Sequence, residues 1–189
     1  MATTIYGGSG KDFINAEADN DLIEGGDNDD TIFGAKGNDT VIGGKGNDSL
    51  EGNEGDDTLI GGKDRDTLTG GDGSDIFVFS QDDGFSKFSP TDDLSKKEAD
   101  IITDFGFGNF IGGGGVDRIS LSGKLWEEKN NIKFLDIQSE PLINTLIGSF
   151  GNRPVATAMV LGDEYLAKFN RTFNEGELQK IKDGFFQRV

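Results

Sequence analysis

Eight aspartates recur at intervals of nine residues: Asp12, Asp21, Asp30, Asp39, Asp48, Asp57, Asp66 and Asp75. Each is followed two places later by an apolar residue: Ile14, Ile23, Ile32, Val41, Leu50, Leu59, Leu68 and Phe77. The chain has no His and no Cys. Carboxylates kept in phase, without nitrogen or sulfur donors, suit the binding of a hard cation. Zinc and copper favour nitrogen or sulfur ligands. Magnesium prefers a strict octahedron and keeps its waters, whereas calcium accepts about six to eight oxygens in flexible geometry and takes backbone carbonyls readily.

The elements that must hold these carboxylates follow from the rest of the period. Eight nine-residue phrases begin at Gly7, Ala16, Gly25, Gly34, Gly43, Gly52, Gly61 and Gly70, with glycine favoured at the first, second and fourth places. Glycine opens backbone angles closed to other residues, which predicts a tight six-residue turn followed by a three-residue strand. Side chains alternate along a strand, so the eighth place faces inward and the seventh and ninth face outward. Two phrases close one coil of eighteen residues. The aspartates then stack in two columns, Asp12, Asp30, Asp48, Asp66 and Asp21, Asp39, Asp57, Asp75. A glycine/aspartate nonapeptide of this kind is the signature of a calcium-binding parallel β-helix. A flexible Gly/Asp linker would not keep an aspartate and an apolar residue in phase through eight periods.

The phrase resembles the Gly-Gly-x-Gly-x-Asp-x-(apolar)-x repeat of the RTX (repeats-in-toxin, haemolysin-type) family; Gly43-Gly44-Lys45-Gly46-Asn47-Asp48-Ser49-Leu50-Glu51 is the cleanest copy. The resemblance implies a right-handed parallel β-roll in which each calcium lies between successive turns, held by two aspartates and by carbonyls from glycine places. The implied ligands are the eight repeat aspartates, with carbonyls of Gly8, Gly10, Gly26, Gly44, Gly46, Gly62, Gly71 and Gly73. Roughly six to eight Ca²⁺ would nearly neutralise the chain. Phrase two (Ala16-Glu17-Ala18-Asp19-Asn20-Asp21) has lost all its glycines, which marks its turn as the weakest position. Asn28 and Asp64 take the fourth place in phrases three and seven, and both residue types tolerate left-handed angles.

The net charge is −17 over 189 residues. Gly7–Val78 carries 18 acidic and 5 basic residues, and Phe79–Val189 carries 17 and 13. The acidity therefore lies where the repeats are. Such a chain is a poor partner for nucleic acid or an anionic membrane, both of which want clustered Lys and Arg. Without His there is no His-Glu-x-x-His zinc site and no base for a Ser or Cys nucleophile. The carboxylates in phase are read as metal ligands, so the chain is not expected to be an enzyme. The first residues show no basic region followed by an apolar core, so no secretory signal peptide is expected. No stretch approaches the ~18 apolar residues needed to span a bilayer.

Two domains are expected: a calcium-binding roll over 1–79, with repeats from 7 to 78, and a capping region over 80–189. Ser80–Lys97 reads as a loop. Strands are predicted at Ala99–Phe105, Val116–Ser122, Ile132–Ile137, Val155–Leu161 and Tyr165–Asn170, with a hairpin at Gly162-Asp163. Asn174–Arg188 reads as a helix, because Leu178, Ile181, Phe185 and Phe186 fall at helical spacing. The fold class is therefore all-β: a parallel roll, then a β-rich cap with a short C-terminal helix. Asp100-Ile101-Ile102-Thr103-Asp104-Phe105 and Asp117-Arg118-Ile119-Ser120-Leu121-Ser122 resemble the segment that follows the repeats in RTX proteases and alginate-epimerase modules. Asp100 is assigned as a further metal ligand on that resemblance; Asp104 and Asp117 are either ligands or turn-end residues. The outer face of the even-phrase sheet shows Ile42, Ile60 and Val78 side by side, which predicts that the chain after Phe79 folds back over it and closes the end of the array.

Two functions follow. The resemblance implies a secreted, extracellular protein exported by a type I apparatus that reads an uncleaved C-terminal signal, for which Arg171–Val189 is in place. The alternative is a calcium-dependent polysaccharide-binding module, for which Lys133, Arg153, Lys168 and Arg171 are candidate contacts. Whether the chain is an excised domain or a naturally short protein stays open.

Overall fold

The computed structural model describes residues 1–80, 100–105, 116–121, 132–138, 154–161, 164–169, 176–177 and 186–188. The repeats form β1 (Thr4–Ser9), β2 (Phe13–Asn15), β3 (Leu22–Asp27), β4 (Thr31–Lys36), β5 (Thr40–Lys45), β6 (Ser49–Glu54), β7 (Thr58–Lys63), β8 (Thr67–Asp72) and β9 (Ile76–Phe79). After them come β10 (Asp100–Ile102), β11 (Arg118–Leu121), β12 (Ile132–Gln138), β13 (Pro154–Leu161), β14 (Glu164–Phe169) and β15 (Phe186–Arg188). They form two sheets, ordered β1-β3-β5-β7-β9-β11-β15 and β12-β13-β14-β10-β8-β6-β4-β2.

Odd and even phrases thus segregate as the eighteen-residue coil requires. Strands pair in parallel with the register Val41↔Leu59 in one sheet and Ile32↔Leu50 in the other. The eighth-place side chains fill the space between the sheets: Ile23, Ile32, Val41, Leu59, Leu68 and Phe77 are fully buried. Only Ile14, in the first coil, keeps a 9% exposure.

The strands are longer than predicted. Full ones run six residues, from the seventh place through the third place of the next phrase, as in Thr40–Lys45. The turn shrinks to three residues such as Gly46-Asn47-Asp48. Pairing carries on through the glycines, with Gly44 opposite both Gly26 and Gly62.

Beyond the repeats, β10 pairs with β8 and β11 with β9, both in parallel. The described strands after Phe79 therefore extend the two sheets at their ends; β10 and β11 do not make the expected crossing over the outer face, and the segments between the described strands lie outside the described residues. Ile42, Ile60 and Val78 stay partly exposed. A free parallel edge offers a full row of backbone partners, which a side-on crossing does not use. Phe105 packs against Phe77 in the interior, ring centroids 6.0 Å apart. The β12-β13-β14 strands are antiparallel neighbours, and Leu161 pairs with Glu164 across the expected hairpin.

The terminal helix is corrected in part. Gly176 and Glu177 have helical geometry, but Phe186–Arg188 form β15, paired with Ile119–Leu121 of β11. The open edge of β11 outweighs the local helical spacing. The intervening residues, the Ser80–Lys97 loop beyond Ser80, and Arg153 and Arg171 lie outside the described residues. Among the described residues no helix is long and apolar enough to cross a membrane.

Candidate metal centre

The sixth place ends each turn and points its side chain inward. From Asp21 to Asp75 these aspartates are at most 5% exposed. Their two oxygens do different work. Oδ1 accepts the backbone N–H of the aspartate one coil earlier: Asp12 N–H to Asp30 (2.8 Å), Asp30 to Asp48 (2.8 Å) and Asp48 to Asp66 (2.8 Å) in one column. In the other column Asp21 donates to Asp39 (2.7 Å), Asp39 to Asp57 (2.8 Å) and Asp57 to Asp75 (2.9 Å). Oδ2 of Asp12, Asp30, Asp39, Asp48, Asp57 and Asp75 is buried with no hydrogen-bond partner. A buried carboxylate oxygen left in this state is strongly unfavourable.

The protein places that oxygen against a glycine. A Cβ on Gly7 would lie 2.6 Å from both Asp12 Oδ2 and the Gly25 carbonyl oxygen; on Gly34 it would lie 2.6 Å from Asp39 Oδ2 and 2.8 Å from the Gly52 carbonyl. The first-place glycine is thus required by space rather than by backbone angle. It leaves a small cradle flanked by a carboxylate oxygen and by a carbonyl from the next coil. The eight glycines assigned as carbonyl donors differ: all have φ between 105° and 150°. A Cβ on Gly26, Gly44 or Gly62 would strike the carbonyl oxygen of Gly8, Gly26 or Gly44 respectively. These three carbonyls therefore project from one coil toward the next.

Phrase two departs from the other phrases in its local geometry. Ala16, buried, puts a methyl where the other phrases have a glycine hydrogen. Glu17 is not left-handed, although Asp19 at the fourth place has φ 131°. Its Asp21 Oδ1 accepts from both the N–H (2.6 Å) and the hydroxyl (2.9 Å) of Thr3, which occupies the sixth place of an earlier coil.

Burial raises the carboxyl pKa of five of the column aspartates, with repulsion from neighbouring carboxylates adding to it. Asp57 is pushed up to about 7, Asp48 and Asp75 to about 6, and Asp30 and Asp39 also rise. The columns are held in a fold that disfavours their ionised form, which is the electrostatic condition a cation between the coils relieves. Among the described residues no three acidic side chains converge on one point. A cation here needs backbone carbonyls to fill its coordination, and the cradle supplies such oxygens. The donor set is all oxygen, and it fits calcium.

The columns continue past the repeats. Asp66 donates its N–H to Asp100 Oδ1 (3.0 Å), and Asp75 donates to Asp117 Oδ1 (3.0 Å). Asp104 takes another role: its two oxygens accept the N–H groups of Gly70 (3.0 Å) and Gly71 (2.8 Å), closing the last turn.

Sequence reasoning missed a second ladder. Fifth-place side chains accept from the coil that follows: Asn38 N–H to Asn20 Oδ1 (2.8 Å), Asp56 to Asn38 (3.0 Å), Ser74 to Asp56 (2.8 Å) and Asn47 to Asp29 (3.1 Å). Its signal was Asn or Asp at five of the eight fifth places. The exposed third and fifth places add ion pairs, Lys36–Glu54, Lys45–Asp27 and Lys11–Asp29.

Compared with known protein families, the chain matches the model described as RTX calcium-binding nonapeptide repeat (4 copies) over residues 6–41, 19–50, 42–77 and 51–85. These matches span less than half of the 189 residues. No curated protein matches the chain.

Proposed function

We propose, from the match of residues 6–85 to the RTX calcium-binding nonapeptide-repeat model, that the chain is a calcium-gated folding module of an exported protein. The observation that carries the reading is the row of buried, unpartnered Oδ2 atoms. Each is an oxygen held ready for a cation and unfavourable without one. The sixth-place aspartates supply the carboxylates, and the glycine places supply carbonyls. The ions number roughly six to eight, by the count of stacked turns. When bound, calcium supplies charge compensation, not a reaction step. The chain's own residues order the turns and bury one apolar side chain per strand.

Without metal, the charge of the repeats and the entropy of ordering glycine-rich backbone oppose folding. Metal binding and folding are then one event. The chain stays extended where calcium is scarce and folds where it is millimolar, outside the cell. This suits passage through a type I apparatus, with Arg171–Val189 as the segment read by it.

Circular dichroism of the full chain tests the core of this. Disorder over the repeats is expected in EDTA, and a β spectrum at millimolar calcium. A fully folded roll in excess EDTA would defeat the proposal.

A second reading, a calcium-dependent polysaccharide-binding module, draws on one surface feature. Phe13, 73% exposed, and Phe33 have ring centroids 5.5 Å apart and line a hollow with Asn15, Asn53, Lys36 and Glu54. Stacking faces beside amides suit a sugar ring. Retention on alginate or neutral-glycan beads in calcium, lost in Phe13→Ala, is its test.

A further inference from the structure

The two ends of the array are finished differently. In the sheet orders given above, β1 and β2 are outermost at one end, and β15 and β12 at the other. A strand at a sheet edge offers unpaired N–H and C=O groups to other chains, and charged residues on such a strand are a common protection. The far end has them: β12 contains Lys133 and Asp136, and β15 contains Arg188. At the near end β1 (Thr-Ile-Tyr-Gly-Gly-Ser) and β2 (Phe-Ile-Asn) contain no charged residue.

The backbone of this near end is set for another layer. Within the array each seventh-place N–H donates to the sixth-place carbonyl one coil earlier: Leu22 to Thr3 (3.0 Å), Thr31 to Asp12 (2.9 Å) and Thr40 to Asp21 (2.8 Å). Thr4 and Phe13, at the same place in the first coil, have no such acceptor among the described residues. A Cβ on Gly26 or Gly44 would strike a carbonyl of the preceding coil. One on Gly8 or Gly10 would meet nothing within 4 Å, although both glycines keep a positive φ, 107° and 150°. Ile5, at the eighth place, stays partly exposed, whereas Ile23 and Val41 are fully buried. Apolar surface gathers here as well. Tyr6 is 67% and Phe13 73% exposed; with Met1 and Leu22 they make four of the five exposed large apolar side chains among the described residues.

We infer that this end is an interface between two copies of the chain, joined end to end through β1 and β2. The occupant must present two uncharged strand edges at the spacing of the two sheets, with their hydrogen-bonding groups free. Among the described residues only this same end of a second copy does so, because the edge strands of the far end are charged. Like edges meeting head to head are related by a twofold axis and pair antiparallel. Such a contact is closed, so association stops at the dimer. Tyr6 and Phe13 line the outer flanks of the seam. The inference rests on the calcium reading above only for the conditions in which the roll forms.

Sedimentation velocity of the full chain in millimolar calcium, with circular dichroism on the same samples, tests it. The wild type should pass from one chain of 20.2 kDa to two as its concentration rises through the micromolar range, and no further. The double variant Tyr6→Lys, Phe13→Lys sets like charges across the seam and should stay monomeric with an unchanged spectrum. Thr58→Lys, on the outer face of the same sheet but inside the array, should dimerise as the wild type does. Thr4→Pro deletes one outward N–H and no bond within the roll, and should weaken the dimer by about tenfold; it decides the matter if the double variant does not fold. A folded wild type that stays monomeric throughout overturns the inference and leaves the calcium reading standing. A dimer that the folded lysine variant or Thr4→Pro retains at full strength lies elsewhere on the molecule and overturns it too. A wild type that stays disordered in millimolar calcium defeats the proposed function, and this inference with it, since the edges then do not form.

Discussion

Acid should replace calcium in part. In the folded, cation-free roll burial pushes the Asp57 carboxyl up to about 7, and those of Asp48 and Asp75 up to about 6, against 3.8 for the free side chain. Burial is the main cause in each case. A carboxyl whose pKa is raised by folding binds its proton more tightly in the folded state. Its contribution is complete below the unfolded value and disappears as pH rises through the folded value. For these three groups the window runs from about pH 4 to pH 7. Moving from pH 7.5 to pH 5 protonates Asp57 fully and the other two largely. Summed by linkage, this favours the cation-free roll by about 5 kcal/mol, a tenfold population change per 1.4 kcal/mol. All three side chains are at most 2% exposed, but they lie only a short way beneath the surface and interact with one another, so solvent screening and coupling make that sum an upper bound. The assay is far-ultraviolet circular dichroism in calcium-depleted buffer, stopped at pH 5 to stay above the isoelectric point near 4.2. β content should grow on acidification, while apparent calcium affinity falls, since proton and cation compete for the same oxygens. A spectrum that stays disordered and unchanged from pH 7.5 to pH 5 would refute the claim that these carboxylates are buried without compensation.

Other outcomes follow from the same geometry. Asp48→Asn, which bonds coils on both sides, should weaken calcium binding in calorimetry more than Asp12→Asn at the array's end; equal losses would count against shared, stacked positions. Gly34→Ala puts a methyl 2.6 Å from Asp39 Oδ2 and should lower calcium affinity at that turn. Ala35, with φ 80°, sits where most phrases have glycine, so Ala35→Gly should stabilise the calcium-bound fold by roughly 1 kcal/mol in thermal melts. Lys36→Ala removes an exposed ion pair with Glu54 and should change stability by less than about 1 kcal/mol.

What the sequence made legible is whatever eight copies state together. The inward eighth place, the eighteen-residue coil and both aspartate columns are read straight from phase. The length of the strands was not. Pairing through Gly44 and Lys45 depends on main-chain groups, and side-chain identity says nothing of them. Glycine was also ambiguous. A glycine needed for φ, like Gly44, and one needed for space, like Gly34, are the same letter. Single-copy features fared worst. Nothing local marks Thr3 as a partner of Asp21, or Asp104 as the acceptor for Gly70 and Gly71. Phe186–Arg188 joined an open edge of β11 that only the folded chain reveals.

The two side-chain ladders face opposite ways, and this sets how such an array can lengthen or shorten. At the sixth place each coil gives an N–H forward and takes it with Oδ1; at the fifth place the acceptor lies behind. Interior coils therefore share the same sixth-place bonds with both neighbours, and none of these bonds is addressed to a particular coil. Adding or deleting eighteen residues, by duplication or loss of gene sequence, rejoins identical partners and leaves the stack intact. A change of nine does something else. Everything downstream moves to the opposite sheet, so Asp100 and Asp117 arrive at the wrong columns. The heritable unit of this protein is thus the pair of phrases, although the visible repeat is the single one.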